Sequence, residues 1–221
     1  MSGPAGRGEV LPADAIVLCV PDAEIPTAAG AVAGAAPLVG HTSGATPLTA
    51  LGAAQARGRF GLHPLQTFTG SGGDSERFRG CRCAVGGTSA EALDAALGMA
   101  RSLGMQPFEL SDEQRPAYHA AASIASNFLV ALEAAAEQVA GGAGLDPVEA
   151  RAALAPLVRA TVENWAALGP ERALTGPVAR GDELTVAAQR EAVRATAPQL
   201  EALFDVMVER AKALARQEVP A

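Results

Sequence analysis

Residues 14–22 read DAIVLCVPD, six apolar positions from Ala15 to Val20 running straight into Pro21 and Asp22. A short apolar run that stops at proline is the signature of a buried strand leading into a turn, because proline has no N–H to continue a ladder. Outward from it the pattern alternates. A short Ala-rich helix over Ile25 to Gly34 leads to a strand at Leu38 to His41, the loop Thr42-Ser43-Gly44 and a helix over Pro47 to Gln55. A strand at Phe60 to His63 follows, then the segment HPLQTF and a loop over Thr69 to Ser75. A strand at Arg82 to Val85, a helix over Ser89 to Leu103 and a strand at Pro107 to Leu110 complete the alternation. Short strands separated by helical stretches imply a largely parallel sheet with right-handed crossovers.

From Asp112 the periodicity changes to that of a helix and stays there. One long helix is expected over Asp112 to Ala140, ending at Gly141-Gly142. The next starts at Asp146-Pro147-Val148-Glu149, an N-cap acid, a proline at the first helical position and an acid at the third. Leu154, Leu157, Val158, Val162 and Trp165 mark its apolar face, and Pro156 should kink it. Helices over Glu183 to Arg194 and Pro198 to Arg216 follow the loop TGPVARGD. The fold class expected is α/β followed by all-α: a flexible N-terminus at 1–9, a partial Rossmann-like sheet domain at 10–111 and a helical bundle at 112–221. The strand and G-x-G-x-x-G turn that open a dinucleotide-binding domain do not precede Ala15, and GPAGRG near the N-terminus has the wrong spacing and no strand before it.

Composition narrows the function. The 221 residues are 49% hydrophobic with a net charge of −7, and mean hydropathy is +0.17 with a pI near 5.0. That balance argues for a folded protein and against a nucleic-acid or anionic-membrane partner. No apolar run approaches the roughly 20 residues of a membrane span. Three cysteines, an odd number, suggest free thiols in a reducing cytoplasm. Cys19, Cys81 and Cys83 are read as small buried side chains, and no metal site is expected. Lys212 is the only lysine.

Five segments could carry chemistry. Val20-Pro21-Asp22 and Thr42-Ser43-Gly44 sit at the carboxyl ends of strands, where open α/β sheets place their ligands. His63 and Gln66 follow a third strand, and a neutral imidazole there could donate to a carbonyl; a structural histidine reads equally well. His119, Ser123 and Asn127 recur at four-residue spacing on one helix face. Small neutral donors are poor choices for a merely solvated face, since they lower helix propensity. Thr175 and Arg180 lie in a loop between helices, where a guanidinium could grip a carboxylate or cap a helix.

VPD, HTSGA, LHPLQTF, YHAAASIASNFLVAL and LTGPVARGD, in that order, resemble the bacterial Rossmann-like proteins with a DUF2520 C-terminal domain, of the 6-phosphogluconate dehydrogenase-like superfamily that includes pyrroline-5-carboxylate and ketopantoate reductases. The resemblance runs from about Ala13 to Arg216. It implies a Rossmann domain followed by an all-α domain, an active site in the cleft between them, and an NAD(P)-dependent oxidoreductase. The implied substrate is a small 2-oxo acid or similar C=O or C=N compound, with ketopantoate the specific expectation. Val20, Pro21, Asp22, Thr42, Ser43 and Gly44 are expected at the NADP (or NAD) cofactor, His119, Ser123 and Asn127 at the reaction, and His63, Gln66, Thr175 and Arg180 at the substrate. Many superfamily dehydrogenases carry a lysine four residues before the asparagine; here that position is Ser123, so His119, His63 or water is expected to supply the proton. A homodimer through the helical domain is also expected. The competing reading is a non-catalytic binding or regulatory module, since without a pyrophosphate loop NADPH should bind poorly.

Overall fold

A computed structural model describes residues 13–70 and 72–216. The expectations for residues 1–9 and for GPAGRG lie outside them. The chain divides into two compact units, Met1–Asn127 and Phe128–Ala221.

The first unit is a five-stranded sheet in the order β1-β2-β3-β4-β5. Its strands are β1 (Ala15–Leu18), β2 (Leu38–His41), β3 (Gly58–Pro64), β4 (Arg82–Gly87) and β5 (Gln106–Glu109). β1, β2 and β3 are mutually parallel, β4 runs antiparallel to β3, and β5 is parallel to β4. The carboxyl ends of the first three strands therefore share one end of the sheet.

Alternation along the strands sorts residues onto two faces. On one, Leu38, Phe60, Leu62, Cys83 and Val85 pack under Ala92, Ala96 and Ala100 of helix α2 (Ala90–Ser102). Alanine at every fourth position lets that helix sit close, and Gly40 leaves room for the Phe60 ring. On the other face, Leu18 and Val39 meet Ile25 and Ala29 of helix α1 (Ile25–Ala31) and Leu48 and Leu51 of the 3-10 segment Leu48–Ala54. Each large aliphatic buried this way contributes roughly 1.5–3 kcal/mol. Ser89 caps α2 by accepting from Ala92 N at 3.2 Å.

The segment Leu48–Ala54 is a 3-10 helix and not the α-helix expected over Pro47 to Gln55. Gln55 closes it with φ +51, a left-handed conformation that an α-helix does not continue through. Cys83 is buried, but Cys81 is only partly so and Cys19, just past β1, is exposed, correcting the expectation of three buried thiols. His63 lies inside β3 and does not follow it.

The long helix expected over 112–140 is interrupted. After a 3-10 turn at Asp112–Gln114, helix α3 (Arg115–Ala125) stops at Ser126, whose φ −121 and ψ −71 leave the helical region. Helix α4 (Asn127–Ala140) then begins. Taken together, Asp112–Ala143 has the length and hydropathy of a membrane span, contrary to the sequence reading. Its two helices, of 11 and 14 residues, are each shorter than the roughly 20 residues a span needs.

The second unit is helical throughout: most of α4, then α5 (Pro147–Leu168), α6 (Pro170–Ala173), α7 (Glu183–Thr196) and α8 (Glu201–Ala215). Helix α5 opens on the capping box read from the sequence, Asp146 accepting from Val148 N and Glu149 N at 2.8 and 2.9 Å while Glu149 accepts from Asp146 N at 3.2 Å. Arg151 forks onto Glu137 to tie α5 to α4, and Arg190 forks onto Asp205 to tie α7 to α8. Lys212 is engaged by Glu183 and Glu209. The apolar burial is thin: Ala135, Ala150, Val186, Val193 and Ala197 are buried, while Leu157, Trp165 and Val206 stay exposed.

Candidate functional site

The loop that leaves β2 is organised around Ser43. Its hydroxyl donates to Asp22 Oδ2 at 2.7 Å and accepts from Thr46 N at 2.9 Å and Ala45 N at 3.2 Å. Ser43 thus ties the strand exit at Val20-Pro21-Asp22 to the strand exit at Thr42-Ser43-Gly44, using the local turn bonding that serine favours. Its own N–H donates to Nδ1 of His41 at 3.2 Å.

His41 is fully buried, and its Nε2 has no hydrogen-bond partner among the described residues. Burial pushes its pKa down to about 4, with the Arg115 guanidinium acting in the same direction against Asp22, Asp112 and the Pro47 carbonyl. A neutral ring that accepts at Nδ1 must carry its proton on Nε2.

Arg115, at the start of α3, is also buried. Its Nε donates to Asp112 Oδ1 at 2.7 Å and its Nη1 to the Ser43 carbonyl at 3.2 Å. The second oxygen of Asp112 accepts from Leu48 N at 2.9 Å. Nη2 lies against Gly61 of β3 and Gly86 of β4, where any β-carbon would collide with it or with the Leu110 carbonyl. One ion pair, its guanidinium buried and its carboxylate partly exposed, thus holds the loop after β2 and the first turn of α3 to the sheet.

That anchor sets the course of α3. Arg115 touches Gly61, and three residues later Tyr118 touches His63, two residues further along β3. Three helical residues rise about 4.5 Å and two strand residues about 6.6 Å, so helix and strand advance together over this stretch. Gly61 and His63 share a face by alternation, the face that Arg115 and Tyr118 of α3 reach. His63 Nδ1 and the Tyr118 hydroxyl are 2.7 Å apart. The rings of His63 and His119 stand 6.3 Å apart at their centroids, and Phe108 of β5 packs edge-on to Tyr118. A β-carbon on Gly44 would come within 3.0 Å of the His63 ring, so the loop after β2 closes directly onto that ring. Burial lowers the His63 pKa to about 4, helped by His119 and Arg115 and opposed by Asp22. Burial also holds the Tyr118 phenol up at about 12.

Of the residues singled out from the sequence, Asp22, Ser43, Gly44, His63 and His119 are linked here through these contacts. Burial raises the pKa of the Cys19 thiol, and Thr42 beside it acts in the opposite direction. Val20 and Pro21 border the same strand exit, and Ser123 is half-buried one turn of α3 beyond His119. Asn127 lies past the break at Ser126, as the first residue of α4, so the four-residue stripe does not continue to it on one helix. Gln66 is exposed and accepts from Thr67 N at 2.8 Å within its own loop. Thr175 and Arg180 are in the second unit, in a turn that ends where Asp182 caps α7 by accepting from Thr185 N at 3.1 Å. Among the described residues no three His, Cys, Asp or Glu side chains gather as metal ligands. The sequence reading missed Tyr118, Arg115 and Asp112. Tyr118 is the only tyrosine and precedes a chosen histidine, which was the one available signal.

Residues 81–211 match the family described as domain of unknown function DUF2520. Protein TM1727 from Thermotoga maritima is 27% identical, with a TM-score of 0.81, over 93% of this chain and 80% of that one. Protein BF3122 from Bacteroides fragilis is 22% identical with a TM-score of 0.77, over 93% of this chain and 78% of that one. The Plasmodium falciparum pyrroline carboxylate reductase with NADP bound shares 9% identity and the fold, with a TM-score of 0.55 over 91% of this chain and 77% of that one. No curated protein matches the chain.

Proposed function

The chain belongs to the DUF2520 family, and from that premise we propose that it is an NAD(P)-dependent oxidoreductase acting on a small C=O or C=N compound. The observation that carries this reading is the meeting of His63, Tyr118 and His119 beside Gly44, at the shared carboxyl end of three parallel strands. Sheets of this kind bind ligands at that end.

The residues present fit the nicotinamide end of a dinucleotide. Asp22 and Ser43 are already fixed on each other, so Val20, Pro21, Asp22, Thr42, Ser43 and Gly44 form a preset polar rim that would hold the ring and its ribose. A G-x-G-x-x-G turn between a strand and a helix, the usual seat of the pyrophosphate, does not occur among the described residues. A bound reduced nicotinamide would supply hydride. The chain's own groups do the rest: His119 holds the proton for the product oxygen or nitrogen, and His63, Ser123 and Asn127 offer hydrogen bonds to the carbonyl.

A 2-oxo acid is the proposed substrate class and ketopantoate the first compound to test. Incubating the protein with NADPH and ketopantoate should consume NADPH fluorescence in proportion to substrate. The alternative is a binding or regulatory module, and absence of NADPH binding in a calorimetric titration would select it.

The same reading includes a cytoplasmic homodimer. It is supported by the exposure of Phe128, Val130, Leu157, Trp165, Val206 and Met207 in the helical unit, more apolar surface than a monomer usually leaves in water. Light scattering at micromolar concentration should give twice the chain mass, and a monomer would overturn it.

A further inference from the structure

We infer that Tyr118 is a positioning residue that locks His63 into the tautomer with its proton on Nε2, making His63 a neutral hydrogen-bond donor to a ligand carbonyl at the strand ends. The inference rests on the proposed reading for its ligand, but the lock itself does not.

A phenol O–H is a better donor than an imidazole N–H, and an imidazole nitrogen a better acceptor than a phenol oxygen. The 2.7 Å contact between His63 Nδ1 and the Tyr118 hydroxyl can be filled in two ways. If Nδ1 carried the proton, it would donate to the phenol oxygen, and the phenol's own O–H would need another acceptor. Among the described residues no acceptor for it other than His63 is found: Tyr118 meets the rings of His63 and Phe108, with Arg115, Cys81 and Cys83 nearby. With the phenol donating to Nδ1, the better donor meets the better acceptor, and the imidazole proton must stand on Nε2. That N–H has no partner among the described residues and is therefore available to a ligand.

The surroundings favour the neutral ring. Arg115 and His119 reach it from α3, Tyr118 brings an un-ionised phenol, and Cys83, whose thiol is pushed up to about 12, lies on the neighbouring strand. Asp22 is the one anion acting on it. A neutral imidazole can polarise a carbonyl by donation without surrendering its proton, and it keeps this capacity unchanged across the physiological range. His119, at the next position of α3, is then free for the proton transfer itself. Gly44 completes the arrangement, since a side chain there would push against the ring and displace it from Tyr118.

The test uses the full 221-residue chain labelled with nitrogen-15. Long-range proton–nitrogen correlation spectra distinguish a protonated from a bare ring nitrogen, and three histidines can be assigned through single His→Gln variants. The expected result for His63 is Nε2 protonated and Nδ1 bare, unchanged from pH 8 down to pH 5. In Tyr118→Phe the two nitrogens should shift toward averaged values. Wild-type spectra showing the proton on Nδ1, or a ring doubly protonated at pH 7, would overturn the inference without recourse to any variant. Unchanged nitrogen shifts in a folded Tyr118→Phe protein would do the same.

With NADPH and ketopantoate as probes, Tyr118→Phe should lower kcat at least tenfold with little change in KM. Loss of the lock without a change in kcat would overturn the ligand role. A locked His63 in a protein that neither binds NADPH nor consumes it would instead count against the oxidoreductase reading and leave the tautomer assignment standing.

Discussion

Arg115 Nη2 fills the space in which a β-carbon on Gly61 would stand. Because Arg115 is itself pinned to Asp112 and to the Ser43 carbonyl, it cannot yield without loosening both the loop after β2 and the start of α3. Gly61→Ala should therefore cost about 1–3 kcal/mol, the usual penalty for overpacking. The check is a lowered urea midpoint with an unchanged slope.

The pair Arg115–Asp112 should be far more sensitive to losing one member than both. Asp112→Ala leaves a buried guanidinium with a single carbonyl for company, and removing one partner of such a pair costs roughly 3–5 kcal/mol. Replacing both, as Arg115→Met with Asp112→Leu, should destabilise less than Asp112→Ala alone. Equal or greater loss in the double variant would mean that the two residues act separately.

Acid should weaken the first unit well before its carboxylates protonate. His41 and His63 both titrate from 6.5 when unfolded to about 4 when folded. Between those values the unfolded chain binds more protons than the folded one, so stability falls as pH drops from about 6.5 toward 4 and levels off below. At most about 1.4 kcal/mol per pH unit can come from each ring, and less from His63, which is partly solvated. Urea midpoints at pH 7 and pH 5 should differ, and His41→Gln should flatten the dependence.

Ser43→Ala removes an acceptor for two backbone N–H groups and the tie to Asp22. A loss of about 1–2 kcal/mol is expected, in line with a cap whose donors are left buried. On the proposed reading it should also weaken NADPH binding, because the rim made by the first two strand exits would no longer be preset.

The strand from Leu38 to His41 could be read from sequence residue for residue, since four buried positions between a proline and a polar loop admit little else. The interruption at Ser126 could not. The apolar period passes through it undisturbed, so periodicity alone sees one helix where the backbone makes two. Arg115 was invisible for a different reason. A charged residue in a predicted helix is ordinarily solvated, and only the register that sets Gly61 opposite Gly86 reveals the space kept for it. His63 and His119 were singled out by chemical character, and the structure sets their rings 6.3 Å apart. Tyr118 was not, because its part depends on α3 keeping pace with β3.

That shared course makes the helix a phase-sensitive part. An α-helix turns about 100° per residue, whereas the Arg115 anchor fixes its starting angle against the sheet. Deleting one residue between Arg115 and Tyr118 would preserve the anchor and the helix while rotating everything downstream by more than a quarter turn. Drift at this position in related sequences should therefore come as substitution and almost never as insertion or deletion. The three-residue interval between guanidinium and phenol behaves as a ruler, and its length matters more than what it is made of.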